Sequence, residues 1–146
     1  MRSWLLLAYK VPRTPTANRV YVWRKLKRLG AILLHDAVWV LPETAMTKEQ
    51  FQWLADEIKE LGGQVTLWES RLLFADQDDL LAQRFNAAAE ETYREILAGL
   101  KRKGANIAAL ARQYQQVQAT DYFRCDLGQQ VREALMLMKG RERTKP

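Results

Sequence analysis

Trp4-Leu5-Leu6-Leu7-Ala8-Tyr9-Lys10-Val11-Pro12 is apolar at nearly every position except Lys10. In so short a segment, an unbroken apolar run fits a central strand covered on both faces. Pro12-Arg13-Thr14-Pro15 breaks it. A helix is expected from Pro15 or Thr16 to Gly30, a natural residue just past a helix end. Val22, Trp23, Leu26 and Leu29 form its inward arc. Residues 31–41 are again apolar and β-prone. His35-Asp36-Ala37 in their middle predicts either a bend or a tight hairpin that pairs Ile32–His35 with residues 38–41.

Thr47-Lys48-Glu49-Gln50 reads as a capping box with Thr47 as N-cap and Gln50 three residues on. The helix it opens buries Phe51, Leu54, Ile58 and Leu61 and ends at Gly62-Gly63. Residues 64–69 then alternate, Val65 and Leu67 pointing one way and Thr66 and Trp68 the other. Beyond them the composition shifts. Asp76 is expected to cap a long helix to about Lys103, on the order of 40 Å at about 1.5 Å per residue. Leu81, Phe85, Ala88, Thr92, Ile96 and Leu100 form its stripe. Lys101-Arg102-Lys103 follows at the end that favours cations. Gly104 turns into a second helix carrying Ile107, Leu110, Ala111, Tyr114 and Val117. A break at Thr120-Asp121 precedes a last helix with Val131, Leu135 and Met138.

The predicted class is therefore α+β. A ferredoxin-like β-α-β(β)-α-β domain spans residues 1–72, a helical hairpin with a return helix spans 76–139, and a charged tail spans 140–146. Trp4, Trp23 and Trp39 belong to the core in this reading. Trp53 and Trp68 fall off the buried arcs and are expected to cover a seam or a partner, with burial in the monomer as the plainer alternative.

A chain of 146 residues buries enough surface to need neither disulfides nor a structural metal. No apolar run approaches a membrane span. Trp4-Leu5-Leu6-Leu7-Ala8 is too short for a secretory leader and lacks a cleavage site, so a cytoplasmic protein is expected. Cys125 is the single cysteine and His35 the single histidine. Neither has a partner at metal-ligand spacing, so each reads as an ordinary packed or surface residue, although Arg124 beside Cys125 is the setting of a slightly activated thiol. Glu90, Glu91 and Glu95 lack a histidine at metal-site spacing and read as a solvated face. No phosphate-binding glycine loop, Ser/His/Asp pattern or metalloprotease motif is present. The reading is a non-enzyme without metal or cofactor.

The charge is unevenly distributed. Arg2, Lys10, Arg13, Arg19, Arg24, Lys25, Lys27 and Arg28 all precede Asp36, the first acid of the chain. The net charge is +6, so everything from Asp36 onward is slightly acidic. Tyr21, Arg24, Lys25 and Arg28 recur at helical spacing as one stripe. The like charges Arg24 and Arg28, four apart, repel by a few tenths of a kcal/mol, with no acid in the helix to offset them. A solvated face is the plain reading of such a stripe. The functional one is phosphate contact, widened by Lys27, Arg19 and Arg13, which gives salt-dependent affinity without sequence selectivity. A stripe this modest binds weakly from one subunit, so useful affinity calls for a homodimer, with the long helices as the expected dimer contact.

Three blocks carry a family resemblance: residues 4–12, Arg19-Val20 with the run from Trp23 to Ala31, and Val38-Trp39-Val40-Leu41-Pro42. They resemble the amino-terminal domain of the chromate-resistance regulator ChrB. Gln52-Trp53-Leu54, Glu57-Ile58 and Gly62-Gly63 continue the likeness, and Asp121-Tyr122-Phe123 follows it more loosely. The resemblance implies an intracellular transcriptional regulator of a chromate-efflux operon, with DNA as partner and an oxyanion such as chromate as the effector that relieves binding. Full regulators of that kind carry a second, carboxy-terminal domain, for which this chain leaves no room. A remoter similarity runs to the ferredoxin-like CRISPR adaptation nucleases and to the middle domain of the PaaX repressor. The nucleases place a metal-binding Asp at the end of the first strand, where this chain has Tyr9-Lys10. That departure argues against metal-dependent phosphodiester cleavage. A non-catalytic scaffold that docks the stripe on an acidic protein is the second reading.

Overall fold

Residues Trp4–Lys10 form strand β1 in a computed structural model that describes residues 1–144. Strand β1 pairs antiparallel with β3 (Val38–Pro42) on one side and with β4 (Gln64–Ser70) on the other. Strand β2 (Ile32–His35) pairs with β3, giving the order β2-β3-β1-β4. Helix α1 (Thr16–Arg28) joins β1 to β2, and α2 (Ala45–Glu60) joins β3 to β4. This is the ferredoxin-like arrangement that the element order predicts, with β1 in a central position.

The register explains why β1 is apolar throughout. Leu5 lies opposite Leu41 and Glu69, and Leu7 opposite Trp39 and Leu67. Directly opposed side chains share a face of the sheet, and successive residues alternate between faces. Leu5, Leu7, Trp39 and Leu41 thus form the buried floor under Phe51, Leu54 and Ile58 of α2 and Val22 and Leu26 of α1. Trp4 and Val40 occupy the other face and are buried as well. There the Trp4 indole Nε1–H donates to Asp78 at 2.8 Å, and Arg2 Nη1 reaches the same carboxylate at 2.7 Å.

Of the two readings of His35-Asp36-Ala37, the hairpin is the one present. Asp36 takes a positive φ of 49° in the turn, a conformation its short polar side chain tolerates. Gly30 ends α1 at φ 76°, as expected of a residue past a helix C-terminus. At the α2–β4 turn, a Cβ on Gly63 would come within 2.7 Å of the Lys10 carbonyl oxygen, so only glycine lets the chain pass so close to β1.

Four expectations are corrected. The N-cap of α2 is Thr44, not Thr47. Thr47 sits three residues into the helix and closes the capping box itself: its N–H donates to Thr44 Oγ1 at 3.0 Å, and its Oγ1 accepts from the Thr44 N–H at 2.8 Å. A threonine thus fills the role expected of Gln50, and the helix starts earlier. Trp23 is 50% exposed, because α1 buries only Val22 and Leu26 and the core arc is narrower than four residues. Helix α3 (Ala75–Leu100) buries Leu81, Phe85, Ala89, Tyr93, Ile96 and Leu100, so Ala88 and Thr92 leave the stripe. The buried Tyr93, anchored at Asp121, draws that stripe one residue round. Asp76 lies in the first turn of this helix rather than before it.

The chain divides into two compact units, Met1–Asp79 and the part from Leu80 onward. The core of the second unit joins Tyr93, Ile96 and Leu100 of α3 to Ile107 and Val117 of α4 (Ile107–Thr120) and to Val131 and Leu135 of α5 (Asp126–Thr144). Residues 140–144 of the expected tail continue α5, and its last two lie outside the described residues. No described helix is long and apolar enough to cross a membrane.

Candidate nucleic-acid interface

Helix α1 positions the basic residues. Val22 and Leu26 anchor it to the sheet, which turns the opposite arc outward. Arg24, Lys27 and Arg28 are exposed on that arc, with Arg19 exposed a turn earlier and Arg13 in the loop before the helix. Among the described residues, none of these five has an ion-pair partner within 4.0 Å. The structure thus brings Arg24, Lys27 and Arg28 to one side of α1, and among the described residues no carboxylate pairs with them.

Tyr21 and Lys25 are arranged differently. The Tyr21 hydroxyl donates to the Glu57 carboxylate of α2, and Lys25 Nζ lies 4.0 Å from the other oxygen of that group. That hydrogen bond, above all, raises the Tyr21 pKa, because the phenol is the donor and loses its partner on ionising. Lys25 also lies 5.6 Å from the centre of the Tyr21 ring. The acid that α1 lacks is supplied by the neighbouring helix, and it divides the predicted stripe. Tyr21 and Lys25 form its inner, satisfied border, while Arg24 and Arg28 form its free outer row.

The outer row has a member that the sequence reading placed in the core. Trp23 is exposed, and Lys27 Nζ lies 5.8 Å from the centre of its ring. Val20, a turn before, is exposed too. The surface therefore carries an aromatic plane among cations, a combination that can contact both phosphate and an unpaired base or sugar. The four-residue spacing of Trp23 and Lys27 was the available signal.

The other candidates take their places without forming a site. Lys10 is exposed at the end of β1, beside a half-buried Tyr9 whose pKa is raised chiefly by burial. No group of three or more His, Cys, Asp or Glu residues able to hold a metal occurs among the described residues. His35 is exposed on β2. Asp121, buried at the end of α4, accepts from the Tyr93 hydroxyl at 2.8 Å and from the Cys125 N–H at 3.1 Å. Burial and the Asp121 charge raise the Cys125 pKa, so the thiol is an unactivated, packed residue and the neighbouring Arg124 does not make it reactive. Glu90 pairs with Arg94 at 3.3 Å on the solvated side of α3.

Against known families, residues 19–120 match the one described as "Protein ChrB, N-terminal", a span that begins within α1 and runs to the end of α4. The chain belongs to the ChrB amino-terminal family. Protein ChrB of Cupriavidus metallidurans (strain CH34) is 33% identical over 63 residues, which is 43% of this chain and 19% of that protein. The chain thus aligns with about a fifth of the relative's length. No solved structure matches it. Within the ChrB amino-terminal family match lie both rows of α1, Glu57, and the Tyr93–Asp121 region up to residue 120.

Proposed function

We propose that this chain is a DNA-associated regulatory module of a ChrB-like transcriptional regulator linked to chromate resistance. The observation that carries the reading is the outer row of α1. Arg24 and Arg28 stand exposed four residues apart, with Lys27 exposed beside them, and no described acid pairs with them. Like charges so placed repel one another unless an anion comes between them. A duplex backbone supplies anions at the required density, and each cation that meets a phosphate releases a counterion. The module acts as a homodimer, because one such row per subunit gives weak binding. An oxyanion such as chromate is the effector, which rests on the family resemblance. The role is binding rather than catalysis, in the cytoplasm.

A fluorescence-anisotropy titration against duplex DNA at low salt tests this. Binding that weakens steeply with salt and is lost in Arg24→Glu/Arg28→Glu supports it. Absence of binding, or binding that ignores the double substitution, rejects it. The second reading, a protein–protein scaffold, draws on one observation of its own: Glu57 already engages Tyr21 and Lys25, so this face accepts carboxylates. Capture of an acidic protein by a chain with no DNA affinity favours that reading.

A further inference from the structure

The two edges of the sheet differ in how they are protected. Strand β2 has four residues, carries an irregularity between Leu33 and His35, and turns directly into the hairpin. A short, bulged strand is a poor template for another chain. Strand β4 is the other edge and has seven residues, Gln64-Val65-Thr66-Leu67-Trp68-Glu69-Ser70. It contains no lysine, proline or glycine, and its register to β1 is unbroken over all seven residues. It pairs on one side only. Leu67 is 39% and Trp68 57% exposed. A long, regular edge without lysine, proline, glycine or a bulge, whose one charged residue, Glu69, is paired with Lys48, is a surface for strand addition.

The sequence of β4 points to its occupant. We propose that β4 pairs antiparallel with β4 of a second copy of this chain, about a two-fold axis through Leu67. Leu67 is the midpoint of the strand, so this register overlaps all seven residues. An antiparallel pair places opposed side chains on the same face, which requires the axis to pass through a residue rather than between two. The pairing then sets Leu67 against the partner's Leu67, Val65 against the partner's Glu69, Thr66 against the partner's Trp68 and Gln64 against the partner's Ser70. No like charges face each other. Glu69, the single charge in the strand, is already engaged by Lys48 of its own chain.

Each face of the sheet has a place for the added strand. On the helix side, α2 and β4 enclose a groove of about 360 Å³ lined by Leu5, Phe51, Gln52, Leu67 and the paired Lys48 and Glu69. The partner's Val65 and the partner's Leu67, of a size and polarity to enter it, lie on that face together with the partner's Glu69. On the other face, Trp68 Nε1–H donates to Thr66 Oγ1 at 3.0 Å, so the ring lies back along its own strand. The result is one continuous eight-stranded sheet.

This deepens the dimeric reading given above and moves the contact from the long helices to the sheet edge. It rests on the strand alone and not on DNA binding. Sedimentation equilibrium of the whole chain is expected to show a dimer. Leu67→Lys places two ammonium groups against each other on the axis, which raises the dissociation constant by at least about tenfold, the scale of a like-charge contact. Unchanged far-ultraviolet circular dichroism checks that this variant folds. In a Cys125→Ser background, Leu67→Cys is expected to oxidise to a covalent dimer, whereas Leu137→Cys on α5, where the side chain is exposed, is not. A monomer at all concentrations overturns the proposal, and so does a dimer that cross-links through residue 137 and not 67. A chain that dimerises through β4 yet ignores DNA rejects the DNA reading and leaves this one standing.

Discussion

The Tyr21 hydroxyl donates to the Glu57 carboxylate, tying the inner border of the basic helix to its neighbour α2. Glu57 is also the acid nearest Lys25, at 4.0 Å. It therefore lowers the positive potential of the face that should meet phosphate. Glu57→Gln keeps the size and hydrogen-bonding capacity of the side chain and removes the charge. Affinity for duplex DNA at low salt is expected to rise up to roughly fivefold, the scale of one exposed charge pair. The gain should shrink at high salt, where the charge is screened. Anisotropy titrations of the two proteins at two salt concentrations check this, and an unchanged or weaker Glu57→Gln complex rejects it.

Charge and apolar contact on α1 are separable. Replacing Arg24 or Arg28 with alanine removes one phosphate contact, so the slope of log affinity against log salt should fall by about 0.9 for each. Trp23→Ala removes the aromatic plane and no charge. It should weaken binding while leaving the slope as it was. Salt-dependence plots for the three variants distinguish these outcomes. Equal slopes for all four proteins would mean that the outer row does not touch the backbone.

How much of this was legible in the sequence depends on what each position had to choose between. The strand β1, the helix that ends at Gly30 and the basic stripe were readable because their patterns are local: an apolar run, a glycine and a spacing of three and four. Partners that come from another element were not. Nothing in α1 announces that Glu57 meets Tyr21, since the two are brought together by both helices packing on one sheet face. Trp23 was misplaced because aromatic residues usually bury themselves, and only the width of the real contact shows that α1 needs Val22 and Leu26 alone. The choice between Ala88 and Ala89 on α3 could not be made from two identical residues. It was made by Tyr93, which must reach Asp121. Thr44 and Thr47 are both competent caps, and the longer helix recruits the pair.

Asp78 gives the first unit a defined acid response. The Trp4 indole N–H, first, and Arg2, next, donate to this nearly inaccessible carboxylate and hold its pKa below the usual value. Both contacts favour the ionised form in the folded state only. Their contribution is complete above the ordinary carboxylate pKa of about 3.9 and is lost as pH falls through the lowered folded value. Asp78→Asn keeps the shape and removes the charge. It should lower stability at neutral pH and flatten the acid limb of the stability profile. Urea unfolding of both proteins from pH 6 to 2.5, followed by tryptophan fluorescence, checks this. An acid limb of equal steepness in the variant rejects it.

In the second unit, Gly128, Tyr93 and Asp121 are coupled. A Cβ on Gly128 would come within 2.9 Å of the Tyr93 hydroxyl oxygen and 3.0 Å of the ring carbon that bears it. Tyr93 cannot withdraw, because it is fully buried and its hydroxyl donates to Asp121 at 2.8 Å. Gly128→Ala should therefore cost about 1–3 kcal/mol by overpacking. Tyr93→Phe leaves the buried Asp121 short of a donor, which costs about 1–3 kcal/mol by a separate route. The double variant should lose less than the sum, since the phenylalanine ring lacks the oxygen that the added methyl group meets first. Tyr93 also sets an alkaline limit. Burial, first, and the hydrogen bond to Asp121, next, raise its pKa, so the folded state keeps the phenol neutral. Its contribution is complete below the ordinary tyrosine pKa of about 10 and is lost as pH rises beyond it. Urea unfolding of the four proteins at pH 7.5 and at pH 10.5 tests both points. Strict additivity at the lower pH, or an alkaline loss as large in Tyr93→Phe as in the parent, rejects the coupling.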